Sequence, residues 1–190
     1  MNWAEPINWL NLDYLRQGGE NQRQVYEILQ AGRFLKILEE YTPILVGTIP
    51  LGIEVDGSDL DIICEVYDLD RFEQELMESF QHYQGFTLSR RPVNGLKRIK
   101  ANFQVEAWPI EIFGQPVPTR QQNGYKHMLI EHRMLRLYGE DFKQDVIRLK
   151  AGGVKTEPAF AELLGLSGDP YQALLELFNS SDQELKDLFL

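Results

Sequence analysis

Ile44-Leu45-Val46-Gly47-Thr48-Ile49-Pro50-Leu51-Gly52, followed four residues later by Gly57-Ser58-Asp59-Leu60-Asp61-Ile62-Ile63-Cys64-Glu65-Val66, is the best-defined pattern in the chain. Residues 44–46 and 60–66 are brief apolar runs bounded by glycine, the mark of two strands joined by a glycine-rich loop. Side chains alternate across a strand, so Asp59 and Asp61 leave one face together while Leu60, Ile62 and Cys64 turn to the buried one. Two carboxylates held this close repel unless a cation lies between them or one stays protonated. Hard oxygen ligands of this kind suit Mg²⁺ or Mn²⁺ better than zinc. An isolated Asp-x-Asp is more often solvated loop chemistry, so the weight falls on what surrounds it.

Upstream, Val25, Ile28, Leu29, Phe34, Leu35 and Leu38 recur at helical spacing, which predicts one helical region over residues 21–41, stopped by Pro43. A short packed arm, residues 7–15, precedes it. Downstream, Asp68 caps a helix expected over residues 69–83. Extended segments follow at 86–90 and 96–106, with Pro92 to Gly95 as turn material, and a third strand at 110–113. From Gln121 onward the pattern is helical only, punctuated by Gly139, Gly152-Gly153, Thr156 as an N-cap, Gly165, Asp169 before Pro170, and a capping box from Ser181 to Glu184. The expected architecture is α+β: a mixed sheet with packed helices over residues 1–118 and a helical C-terminal cap over 119–190, with a soft boundary.

The 190 residues suit one domain or one domain with a helical extension, and the 43% hydrophobic composition supports a packed core. Nineteen basic against 29 acidic residues leave a formal charge of −10, which repels phosphate backbones and anionic lipids. Nucleic acid and membranes are therefore disfavoured as main partners. No apolar run approaches the roughly 20 residues of a membrane span. The start, Met1 to Pro6, lacks a basic and apolar leader, and the single Cys64 forms no internal disulfide, so a cytoplasmic protein is expected. Oligomeric state is left open.

Gly47-Thr48, Gly52 and Ser58-Asp59-Leu60-Asp61, with the first aspartate twelve positions after the first glycine, resemble the signature of the polymerase-beta-like nucleotidyltransferase superfamily. Over a longer span, Val46 to Pro50, Ser58 to Cys64, Gln122 to Met128 and Lys155 to Phe160 resemble the bacterial DUF4269 family, itself grouped with the nucleotidyltransferases by fold. The resemblance implies that Gly47 and Thr48, with Ser58 beside the aspartates, hold the nucleotide's phosphates. Asp59 and Asp61 would bind two Mg²⁺ ions, and a third carboxylate is needed on a neighbouring strand. Ile110 and Ile112 point to the core, so Glu111 shares the face of the aspartates. Glu106 is the alternative, placed near the hairpin turn. The same parity puts Arg98, Lys100, Asn102 and Gln104 on that face, where Lys100 is suited to neutralise a triphosphate or departing pyrophosphate.

Two further groups carry weaker signals. On the helix of residues 122–138, a 100° step turns His127 and Glu131 inward, four apart, where a hydrogen-bonded pair is feasible and an acceptor-side role conceivable; a satisfied core histidine is the competing reading. Lys150 to Thr156 superficially resembles a phosphate loop, but it follows a helix and lacks the Gly-x4-Gly-Lys pattern, so it reads as a helix stop. Together these features give the expectation of a Mg²⁺-dependent nucleotidyltransferase moving a nucleoside monophosphate, AMP from ATP foremost, to a hydroxyl of a small molecule or protein. The rival is a catalytically silent nucleotide-binding or interaction module.

Overall fold

The computed structural model describes residues 7–93 and 95–188, Val93 by its backbone alone. The expectations for the chain start and for Asn94 in the 92–95 turn lie outside the described residues. The chain divides into two compact units: residues up to Val46 with Gly57–Gln122, and Gly47–Asp56 with the residues from Asn123 on.

The first unit holds a five-stranded sheet in the order β1-β2-β5-β4-β3. β1 (Ile44–Val46) runs antiparallel to β2 (Leu60–Glu65), and β2 runs parallel to β5 (Trp108–Gln115). β4 (Leu96–Val105) pairs antiparallel with both β5 and β3 (Gln84–Val93), which forms the far edge. Period-two patterning sets the faces. Leu60, Ile62 and Cys64 on β2, Ile110 and Ile112 on β5, and Ile99, Ala101 and Phe103 on β4 are buried, while Lys100, Asn102 and Glu111 between them stay half-exposed.

The apolar face is covered by helices. In α4 (Leu69–Phe80), the Asp68 carboxylate accepts from the Arg71 amide at 3.0 Å, and Leu69, Phe72, Leu76 and Phe80 form its buried stripe. Phe80 stacks on Phe34 and on Phe103, each at 5.3 Å between centroids. The helix ends three residues short of the expected Tyr83, whose ring joins this stack 5.2 Å from Phe103 as the chain turns into β3. Gly114 of β5 has no room for a side chain, since a Cβ there would lie 2.6 Å from the Phe72 ring and 2.8 Å from Val66. That glycine lets α4 settle close to the sheet.

The helix expected over 21–41 is broken. α1 (Glu20–Ala31) stops at Gly32, Arg33 takes φ 52°, and α2 (Phe34–Ile37) and a 3₁₀ turn at Glu39–Tyr41 follow. A side chain at Gly32 would strike the Phe34 ring, which occupies the core at that corner. The N-terminal arm, with Trp9, Leu12 and Leu15 buried, ends in a 3₁₀ turn at Asp13–Gln17.

The second unit is helical. α3 (Thr48–Leu51) packs on α5 (Asn123–Ala151), which Gly139 interrupts with φ 83°. α6 (Thr156–Leu163), α7 (Pro170–Glu176) and α8 (Asp182–Leu188) complete it. Phe142 meets Phe160 edge-on at 5.6 Å, with Met128, Ile130, Met134 and Val146 buried along α5. Asp169 caps α7, and the Ser181–Glu184 box is formed in both directions. Thr156 is not a cap. Lys155 holds that position without a side-chain bond, and the Thr156 hydroxyl accepts instead from the Lys150 ammonium at 2.7 Å.

Candidate active site

The parallel pairing of β2 with β5 sets Asp61 directly beside Glu111, and adjacent strands lie about 4.8 Å apart. Asp59 stands one residue before β2. One carboxylate oxygen from each of Asp59, Asp61 and Glu111 lies within 4.8 Å of the other two. Asp59 is exposed, and Asp61 and Glu111 are half-buried. Each pair repels by on the order of 1 kcal/mol at the high effective dielectric of an open surface. The donor set is all oxygen, anionic and accessible, which fits a hard divalent cation and offers nothing to a soft one. Glu106 sits at the β4–β5 hairpin with φ 52°, exposed and outside this group, because its side chain belongs to the turn rather than to the ladder.

On β4, Asn102 is the direct register partner of Glu111, and Lys100 lies one step diagonal to it. The Lys100 ammonium donates to Glu111 Oε2 at 2.9 Å. Parity alone places Lys100 on this face; the specific ion pair required the register, which a sequence does not supply. Arg98, two residues before it, holds its guanidinium 5.8 Å from the centre of the Phe113 ring.

In the second unit, Gly47 precedes α3 with φ 82° and ψ −147°, a conformation open to glycine, and Thr48 begins the helix. α3 has a single turn of helix. The chain closes after it through Gly52 at φ 63° and a bond from the Ile53 amide to the Thr48 carbonyl.

His127 and Glu131 are both buried on α5, as the helical phase requires, and His127 is a core histidine whose partners lie on other helices. His127 Nδ1 meets Glu157 Oε1 of α6 at 3.3 Å, and Nε2 lies 3.0 Å from the Tyr171 carbonyl of α7. Both ring nitrogens are thus engaged in contacts that join three helices. Burial opposes the imidazolium, but the Glu157 bond and the Tyr171 carbonyl outweigh it and raise the His127 pKa. Glu157 shows the reverse balance: burial pushes it up, and the His127 bond brings it below the usual range. Burial, with the charge of Glu157 behind it, pushes Glu131 up to about 8. Nothing in the spacing of residues 127, 131 and 157 signalled this arrangement, which depends on how α6 crosses α5. Cys64 is fully enclosed in the sheet, and burial raises its thiol pKa, so it is inert as a nucleophile.

Comparison with known proteins agrees with this geometry at the level of fold. The chain is similar to a solved structure of Cid1, described for its RNA terminal uridylyl transferase activity, with 15% identity and a TM-score of 0.51, covering 70% of this chain and 41% of that one. A structure of the Cid1 poly(U) polymerase with Mg 3′-dATP gives 13% identity and a TM-score of 0.51 over 82% of this chain and 48% of the other. The GLD-2/RNP-8 complex gives 12% identity and a TM-score of 0.50 over 93% and 80%. The chain spans less than half the length of the Cid1 chains it matches. No curated protein sequence matches it. The fold is that of the nucleotidyltransferase polymerases. Residues 27–177 match the family described as a domain of unknown function, DUF4269, and the chain belongs to that family.

Proposed function

We propose that the protein is a divalent-metal-dependent nucleotidyltransferase, transferring a nucleoside monophosphate, AMP from ATP foremost, to a hydroxyl of a small molecule or a protein. The observation that carries this reading is the convergence of Asp59, Asp61 and Glu111 within 4.8 Å on a sheet of nucleotidyltransferase fold. Three carboxylates that repel one another in an accessible position gain from a cation far more than they gain from solvent. Mg²⁺ or Mn²⁺ ions bound there would polarise the phosphoryl oxygens and stabilise the charge of the leaving group.

Asp59 and Asp61 hold the metal side of the site, and Glu111 completes it. In the reaction the acceptor oxygen bonds to the α-phosphorus, the bond from that phosphorus to the bridging oxygen breaks, and pyrophosphate leaves with the electron pair. In this reading Glu111 also takes the hydroxyl proton. Lys100 supplies positive charge on the same face for the polyphosphate. The role of Gly47, Thr48 and Ser58 toward the phosphates rests on the sequence motif.

The acceptor divides two readings. The similar structures belong to enzymes named for RNA substrates, which favours an RNA 3′ end; the formal charge of −10 disfavours a polynucleotide. Pyrophosphate release from each nucleoside triphosphate with Mg²⁺, in the presence of hydroxylated small molecules, the protein alone or an RNA oligonucleotide, tests both. Release that needs Mg²⁺ and vanishes in Asp61→Asn supports the transferase. Saturable nucleotide binding with no release under any acceptor would make the protein a binding module.

A further inference from the structure

Lys100 occupies an unusual place among the groups of the carboxylate face. Its ammonium is bonded to Glu111 Oε2 at 2.9 Å, and Glu111 is itself within 4.8 Å of Asp59 and Asp61. A cation entering between the three carboxylates would therefore meet a positive charge already seated on one of them. Lysine is a point charge on a flexible four-carbon stem, and this side chain is 43% exposed, so it has room to leave. A polyphosphate brought to the same face would give the ammonium a second anionic partner. Lys100 then changes from a charge that repels the incoming metal to one that binds the nucleotide accompanying it.

We propose that Lys100 is a coupling residue: it holds Glu111 in an ion pair that weakens divalent-cation binding to the bare site, and transfers to the nucleotide's phosphates when they arrive, so that metal and nucleotide bind cooperatively. The inference rests on the metal reading of the Asp59–Asp61–Glu111 cluster and adds the order in which its ligands act. Cooperativity of this origin is a coupling free energy between two ligands, measurable from either side. It also makes Lys100 a positioning residue, whose loss changes binding linkage rather than removing the metal ligands.

The test is a Mn²⁺ titration followed by the free-ion paramagnetic resonance signal, with and without α,β-methylene-ATP. It uses the full chain as wild type, Lys100→Met, Lys100→Arg and Asp61→Asn. Without nucleotide, Lys100→Met should bind Mn²⁺ about five- to tenfold more tightly than wild type, from removal of one nearby positive charge. With nucleotide the advantage should disappear, so that the tightening caused by nucleotide is about tenfold smaller in Lys100→Met than in wild type. Lys100→Arg, which keeps the charge, should retain the wild-type pattern. Equal or weaker Mn²⁺ binding by Lys100→Met in the absence of nucleotide would overturn the coupling role while leaving the metal site intact. Absence of saturable binding in wild type and Lys100→Met alike, or binding undiminished in Asp61→Asn, would instead overturn the metal reading and this proposal with it.

Discussion

The two units treat ionisable side chains in opposite ways. On the sheet, Asp59, Asp61 and Glu111 gather like charges on an accessible face. Within the helices, His127 is bonded to Glu157 and Lys150 to Thr156, and burial pushes Glu131, 2% exposed, toward its neutral form. The two contacts of His127 hold α5, α6 and α7 to one another. On the sheet, Lys100 pairs with Glu111, and three carboxylates still share one face that solvent reaches. The two groups thus differ in what they can do, because a ligand must reach the charge it binds, whereas burial takes that charge out of reach or neutralises it.

The contrast breaks most visibly at the aspartates. If the proposed metal site is right, Asp61→Asn or Asp59→Asn should lower nucleotidyl transfer by on the order of a thousandfold or more, read as pyrophosphate release, since each would remove a metal ligand. Neither His127→Asn nor Glu131→Gln should approach that loss; if one does, the helical cluster takes part in the chemistry.

The next largest effect concerns stability against pH. Glu131 has its folded pKa raised to about 8 from an ordinary 4.5. Its contribution is therefore fully favourable below pH 4.5 and is lost as pH rises through about 8. His127, also raised, contributes stability below its ordinary 6.5 that is lost as pH rises through the folded value. Glu157, lowered, acts at the other end: its contribution is present above 4.5 and lost as pH falls through the folded value. Unfolding free energy from urea titrations should thus fall between pH 5 and pH 8 by on the order of a few kcal/mol, and Glu131→Gln should flatten most of that slope. An unchanged slope in Glu131→Gln would assign the dependence to other groups.

A smaller loss is expected at His127. His127→Ala removes the partner of a half-buried Glu157 and the bond to the Tyr171 carbonyl, and should destabilise by about 2 to 4 kcal/mol at pH 6. The loss should shrink as pH rises through the raised folded pKa of the imidazole, where its charge is lost. A pH-independent loss would point to packing volume alone.

Much of this was legible in the sequence because alternation fixes faces. Leu60, Ile62, Ile110 and Ile112 declared the buried side, and with it the side that Asp61 and Glu111 share. Caps were equally readable at Asp68, Asp169 and Ser181, where a short side chain meets the amides beside it. What failed depended on contacts distant in sequence. The break at Gly32 and Arg33 exists because Phe34 reaches a stack built from Phe80 and Phe103, and the partner of His127 lies thirty residues away on another helix. Thr156 was misread for the same reason: its hydroxyl was spoken for by Lys150. Periodicity carries no information about such meetings.

The smallest expected change is also the most telling, because the sheet cluster should be poised against stability. Thermal melts of wild type and Asp61→Asn in EDTA, Mg²⁺, ATP, and Mg²⁺ with ATP test the central claim directly. In EDTA the variant should be as stable as wild type or slightly more so, since it removes one of three converging like charges at little steric change. With both ligands at about a hundredfold excess over Kd, wild type should gain roughly 2.7 kcal/mol, and the variant should lose most of that gain. A variant strongly destabilised in EDTA, together with no joint shift in wild type, would make Asp61 a structural acceptor and contradict the metal-dependent transferase.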